Sequence, residues 1–329
     1  MYENFYGFTE KPFTLLPDPS FLFLGKKHSV AYAMLEYGLA SQAGFSVITG
    51  EVGSGKTTLI RHLLNQLDED ITVGLVSSCH RDMGELLQWV LLAFGLDYRE
   101  KEKVALHDLF TRFLIEQYKQ NKRTVLIVDE AQNLQVHVLE ELRLLSNINA
   151  DKHQVLQIVL VGQPQLRDLL MHDDLLQFQQ RVSVDYHLSA LSEKETRAYI
   201  FHRTRLAGRN KPLFTRGASM LIFRASRGIP RVINTICDMA LMYGFADQKS
   251  VLDSKLIINV LEDKATVRRS HDQGGVTPSP AGKAVTLANF QGGDDWTKPG
   301  SNVEQSNRRV TEFNRDAAKF LFNKYYRDK

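Results

Sequence analysis

The chain has 329 residues, 43% of them hydrophobic and 24% charged, and Lys plus Arg exceeds Asp plus Glu by three. That profile belongs to a globular protein and excludes a disordered or collagen-like one, while a charge balance so near neutral gives no argument for a nucleic-acid or membrane partner. The only two cysteines, Cys79 and Cys237, form no CxxC pair, so neither a disulfide framework nor a zinc site is expected and a reducing compartment fits.

Residues 1–43 open with aromatics and prolines (Phe5, Phe8, Pro12, Phe13, Pro17, Pro19, Phe21, Phe23) and close with a helix over 27–43. The first stretch reads as a clamp packed on a domain, and it lacks the basic-then-apolar layout of a leader peptide. No apolar run reaches the ~18 residues of a membrane span; a cytoplasmic protein is expected. Residues 44–190 then alternate strands with helices. FSVIT (45–49), VGLVSS (73–78), TVLIVD (124–129), QIVLVG (157–162) and VSVDYHL (182–188) are short, β-branched and nearly all apolar. Parallel strands covered on both faces look like this. Asp82 with Glu85, and Ser192 with Glu195, predict capping boxes at two helix starts. Trp89, Leu91, Leu92 and Phe94 predict a buried helix face, and Cys79-His80 reads as packing and surface rather than a metal site.

From 191 to 265 the strands stop, and helices are predicted near 193–206, 215–226, 230–245 and 253–264, with Pro230 in the first turn of the third. The fold class is therefore α/β, a five-stranded parallel sheet followed by an all-helical lid. Residues 266–305 fill with Gly, Pro, Ser and Asp, as a flexible linker does. Residues 306–329 contain a candidate basic amphipathic helix with Phe313, Ala317, Phe320 and Leu321 on one face, suited to a partner or an anionic membrane surface.

Two segments carry chemistry. Gly50, Glu51, Val52, Gly53, Ser54, Gly55, Lys56 and Thr57 match GxxxxGK[ST] directly after a strand and at the start of a helix, with Thr58 next. Such a loop turns backbone N–H groups around phosphate, Lys56 reaches the β and γ phosphates, and the Thr57 hydroxyl ligates Mg²⁺, so ATP with Mg²⁺ is the expected ligand. The second is Val125–Glu130, an apolar strand ending in two carboxylates. Asp129 is expected to hold Mg²⁺ through water, and Glu130 to deprotonate the attacking water.

These residues resemble the AAA+ superfamily of P-loop NTPases. The resemblance implies a sensor 1 role for Gln163, where Asn or Thr is more usual. It implies an arginine finger at Arg181, entering the neighbouring subunit's site, and a sensor 2 role for Arg231 in Gly228-Ile-Pro230-Arg231. A homo-oligomer follows from the finger. The wording of FYGFTEKPFTLLPDPSFLFLGKKHSVAYAMLEYGL, ITGEVGSGKTTLIRHLL and VLIVDEAQNL further resembles the ATPases of the general secretion pathway A type, over roughly residues 1–265. Those encoded beside exosortase (PEP-CTERM) and exopolysaccharide loci are the most similar. Larger relatives add a membrane span and a peptidoglycan-binding region, and no such stretch follows here, which points to the shorter exosortase-locus group. The resemblance implies an ATP-driven motor or switch for envelope export, peripheral at the inner membrane. Two other readings compete: a DNA-associated AAA+ regulator, disfavoured by the lack of a winged-helix pattern or basic stripe, and a nucleotide-binding scaffold without turnover, disfavoured by Glu130.

Overall fold

The computed structural model describes residues 2–77, 85–150 and 153–272. It divides into two compact units, residues 1–261 and residues 262–329. In the first unit, helices α1 (Tyr2–Tyr6) and α2 (Lys26–Ala40) lead into β1 (Phe45–Gly50), α3 (Lys56–Leu64) and β2 (Ile71–Val76). There follow α4 (Leu86–Ala93), α5 (Lys103–Lys119), β3 (Arg123–Val128), α6 (Val136–Leu145) and a two-residue hairpin, β4 (Asn149–Ala150) with β5 (His153–Gln154). The alternation ends with β6 (Leu156–Gly162), α7 (Gln165–Leu170), α8 (Leu176–Gln179) and β7 (Val182–Leu188).

Five strands form one parallel sheet in the order β2-β3-β6-β1-β7. The uniformly apolar central strands still obey the period of two: Leu126 and Val128 face the layer built by α4 to α8, while Val125 and Ile127 face α2 and α3. Three layers result, with both faces of β1, β3 and β6 dry. Coverage on both faces, expected for all five strands, fails at the margins. β2 and β7 are edge strands, so Leu75 is 40% exposed and Ser183 and Asp185 face solvent. A strand with a neighbour on one side only outruns its helical cover.

Helix α4 also departs from expectation. Its buried residues are Leu86, Leu87, Val90 and Leu91, whereas Trp89 is 39% and Leu92 49% exposed. Phe94 lies past the helix, packed on Phe110 and Phe113. At this helix Glu85 is itself the N-cap, without a side-chain cap bond, and Asp82, the other half of the expected capping box, lies outside the described residues with Cys79 and His80.

Among the described residues four helices follow β7: α9 (Glu193–Leu206), α10 (Arg216–Ser226), α11 (Pro230–Ala246) and α12 (Ser254–Asp272). Ser192 and Glu195 form the reciprocal capping box at α9, and Pro230 occupies the first turn of α11. Between α10 and α11 only glycine fits at Gly228 (φ +75°), because a Cβ there would lie 1.9 Å from the Leu191 carbonyl oxygen. The core of this helical layer includes the N-terminal strap: Tyr2, Tyr6, Phe8, Phe13 and Phe21 are buried with Leu213, Ile222, Ile236 and Leu256. Arg209 donates to the Tyr6 carbonyl at 2.7 Å and Arg203 to the Pro12 carbonyl at 2.6 Å. Helix α12 continues to Asp272, inside the stretch expected as linker. The rest of that stretch, and the candidate helix within 306–329, lie outside the described residues. Among the described residues no helix is long and apolar enough to cross a membrane.

Candidate functional site

Register brings the chemistry to one edge. Thr49 of β1 pairs with Gly162 of β6, and Val128 of β3 with Leu160, so three strands end together and release the P-loop, Asp129-Glu130 and Gln163 side by side. Ligands bind at this carboxyl edge in open α/β sheets. The Asp129 N–H donates to the Val76 carbonyl at 2.8 Å, which continues the ladder past β3 and fixes where the first carboxylate emerges.

The loop Gly50–Gly55 turns through left-handed conformations at Gly53 (φ +79°) and Gly55 (φ +100°) before α3 begins at Lys56. At Gly53 a Cβ would also stand 2.5 Å from the Arg231 Cβ, so glycine is needed there for space as well as for conformation. Lys56 is 6% exposed and donates from Nζ to the Gly50 and Glu51 carbonyls at 2.7 and 3.0 Å. Burial pulls its ammonium pKa down, opposed by Glu130, Asp129 and Glu51. Among the described residues the buried Ser54 hydroxyl has no hydrogen-bond partner. An orphaned donor, a cradle with no room for side chains and a helix N-terminus together fit a phosphate chain.

The Thr57 hydroxyl donates to Asp129 Oδ2 at 3.0 Å. Two hard oxygen donors at the cradle's edge fit Mg²⁺. Asp129 is buried, which raises its pKa with help from the Glu130 charge, against the Glu130 N–H and the Thr57 hydroxyl that favour the ionised form. Glu130 follows in a left-handed conformation (φ +56°), unusual for a residue with a Cβ and of a kind that concentrates at functional sites. Its Oε2 accepts from Gln163 Nε2 at 3.2 Å, so the structure joins the expected base and the expected sensor.

A cleft of about 200 Å³ runs from this edge to the lid. The loop residues from Val52 to Thr58 line it with Glu130, and Thr14–Pro17 of the strap, Tyr199 of α9 and Pro230, Arg231 and Asn234 of α11 close it. Arg231 arrives through a backbone bond, its N–H donating to the Gly53 carbonyl at 3.1 Å. Arg181 is not brought to this cleft. It stands before β7, at the opposite end of the sheet, with Nη1 donating to Ser146 Oγ at 3.0 Å.

Three features of the site escaped the sequence. Gln132 Nε2 donates to Glu130 Oε2 at 2.6 Å. His28 of α2, buried beneath the loop, sits with Nε2 3.0 Å from the Ser54 carbonyl, and burial pulls its pKa down despite that bond. The Thr14 carbonyl accepts from Asn234 Nδ2 at 3.2 Å and from Arg203 at 3.4 Å, while Tyr199 donates to Asn234 at 2.8 Å, which ties the strap to the lid across the cleft. No motif spacing marks any of these; their one signal is position, Gln132 lying two residues past the carboxylate pair.

Residues 39–170 match the AAA domain family. The chain is 41% identical over 247 residues to the General secretion pathway protein A of Aeromonas hydrophila, an alignment covering 75% of this chain and 45% of that protein. It thus spans less than half the length of that relative. By fold it is similar to the Aeropyrum pernix ORC2 protein in its ADPNP-ADP complexes, with a TM-score of 0.56 and 19% identity over 73% of this chain and 68% of that one. It is likewise similar to Drosophila ORC bound to DNA, with a TM-score of 0.56 and 15% identity over 84% and 69%. With the parallel sheet, the P-loop after β1 and these likenesses together, the chain has the fold of an AAA-type P-loop NTPase and is related in sequence to general secretion pathway protein A.

Proposed function

We propose that this chain hydrolyses ATP in a Mg²⁺-dependent reaction, as an oligomer whose neighbouring subunits share each site, and that the reaction serves export across the cell envelope. The observation that carries the hydrolytic reading is the meeting of Lys56, the Thr57–Asp129 pair and the Glu130–Gln163 pair at the edge of one cleft. A site that only bound nucleotide would need the first two and not the third.

In this reading Lys56 leaves the Gly50 and Glu51 carbonyls for the β and γ phosphates, and the loop's N–H groups hold the chain of phosphates in line. Thr57 and Asp129 would hold Mg²⁺, which neutralises charge on the phosphate oxygens. Glu130 orients water and takes its proton, Gln163 keeps that carboxylate in place, and Arg231 brings a guanidinium from the lid to the γ-phosphate. Arg181, facing away from its own cleft, suits a finger acting in a neighbour's.

Phosphate release from ATP tests the reaction. It should require Mg²⁺, and Lys56→Ala should weaken nucleotide binding about ten- to hundredfold by removing charge-assisted hydrogen bonds, each contributing roughly 1.5–3 kcal/mol. Lys56→Ala with parental affinity and turnover would sink the assignment. The export role is supported by the secretion-named relative, and its exosortase-locus setting at the inner membrane is supported only by the wording of residues 1–265. Capture of the intact protein from its own cells should recover envelope proteins; recovery of DNA-bound complexes instead would favour a regulator.

A further inference from the structure

Gln132 is bonded at both ends of its carboxamide. Nε2 donates to Glu130 Oε2 at 2.6 Å, and Oε1 accepts from the backbone N–H of Gln163 at 2.9 Å. One amide plane therefore ties the end of β3 to the end of β6. Because the oxygen is committed to an N–H donor, the amide cannot turn over, and its nitrogen must face the carboxylate. Space for it comes from Gly162, where a Cβ would stand 2.9 Å from Gln132 Oε1. The one-turn helix Ala131–Asn133 that carries Gln132 starts at left-handed Glu130 and is pinned by buried Ala131, so carboxylate and amide share one rigid turn.

With Gln163 Nε2 donating to the same oxygen, Oε2 of Glu130 has two donors, and Oε1 has no hydrogen bond among the described residues. We propose that Gln132 is a positioning residue for nucleotide hydrolysis: by fixing Oε2 it sets the rotamer of Glu130 and leaves Oε1 as the single oxygen that takes the proton from water. The inference rests on Glu130 being the base.

The test uses the full chain, with nucleotide affinity and turnover measured separately. Gln132→Ala should lower kcat about ten- to hundredfold, the size of a misplaced catalytic group, and leave nucleotide Kd within about twofold. Gln132→Glu keeps the size and an oxygen for the Gln163 N–H but sets an acceptor against Oε2, and should fall at least as far. In a Glu130→Gln background, Gln132→Ala should cost nothing more, because Gln132 acts only through Glu130. Gln132→Glu with parental kcat, or losses that multiply in the double variant, would overturn the proposal. Failure of the base itself is read separately: Glu130→Gln alone would then keep its turnover.

Discussion

Glu130→Gln binds ATP as tightly as the parent and hydrolyses it about 10²–10⁴-fold more slowly, the range set by removing a general base. The amide has the same shape, and its carbonyl oxygen can accept from Gln132 and Gln163 as Glu130 Oε2 does. What it cannot do is take a proton. The phosphate cradle, built from Gly53, Gly55 and Lys56, does not touch the substituted atom's chemistry, so affinity and turnover separate. A fluorescent-nucleotide titration beside a phosphate-release assay measures both, and an affinity loss as large as the turnover loss would remove Glu130 from the role of base.

Arg181→Ala lowers turnover by on the order of 10³ while each subunit keeps its affinity for ATP, as removal of a finger acting in trans requires. Among the described residues its side chain bonds with Ser146 alone. Losing one such bond from a charged donor costs about 1.5–3 kcal/mol of stability, whereas a thousandfold in rate is about 4 kcal/mol of barrier. Instability cannot supply the difference. Mixing Arg181→Ala with Glu130→Gln subunits should restore part of the activity, because some mixed interfaces pair an intact Glu130 with an intact Arg181. A co-assembled mixture as inactive as its components would refute a shared site.

Much of the sheet was legible because its strands are short apolar runs that end in turn or polar residues, and the P-loop because its glycines and lysine follow a strand directly. VSVDYHL (182–188) and the Ser192–Glu195 cap match the observed element bounds residue for residue. Strand order was not legible. Edge strand β7 did carry a signal that central β6 lacks, since in VSVDYHL Ser183, Asp185 and His187 alternate with apolar residues as in a half-covered strand, whereas the exposure of Leu75 within an apolar run had none. Trp89 and Leu92 misled for a related reason: in an eight-residue helix that is apolar nearly all round, composition does not say which side is buried. Gln132 and the Arg203–Thr14–Asn234 tie depend on contacts between distant parts of the chain or on a turn's exact path, which periodicity does not encode.

The strap that closes the cleft comes from the first residues of the chain, and the helices it packs against come from the last of the first compact unit. On a ribosome adding roughly 5–20 residues per second, about ten to forty seconds separate Phe13 from Phe214, the ring it packs against just before the helix beginning at Arg216. All five sheet strands are made before that helix, so a nascent chain can possess a finished P-loop and still lack the walls supplied by Pro230, Arg231 and Asn234. Competence to enclose a nucleotide is thereby postponed until residues 230–234 have been made, and until then the strap's aromatic side chains await a partner not yet translated.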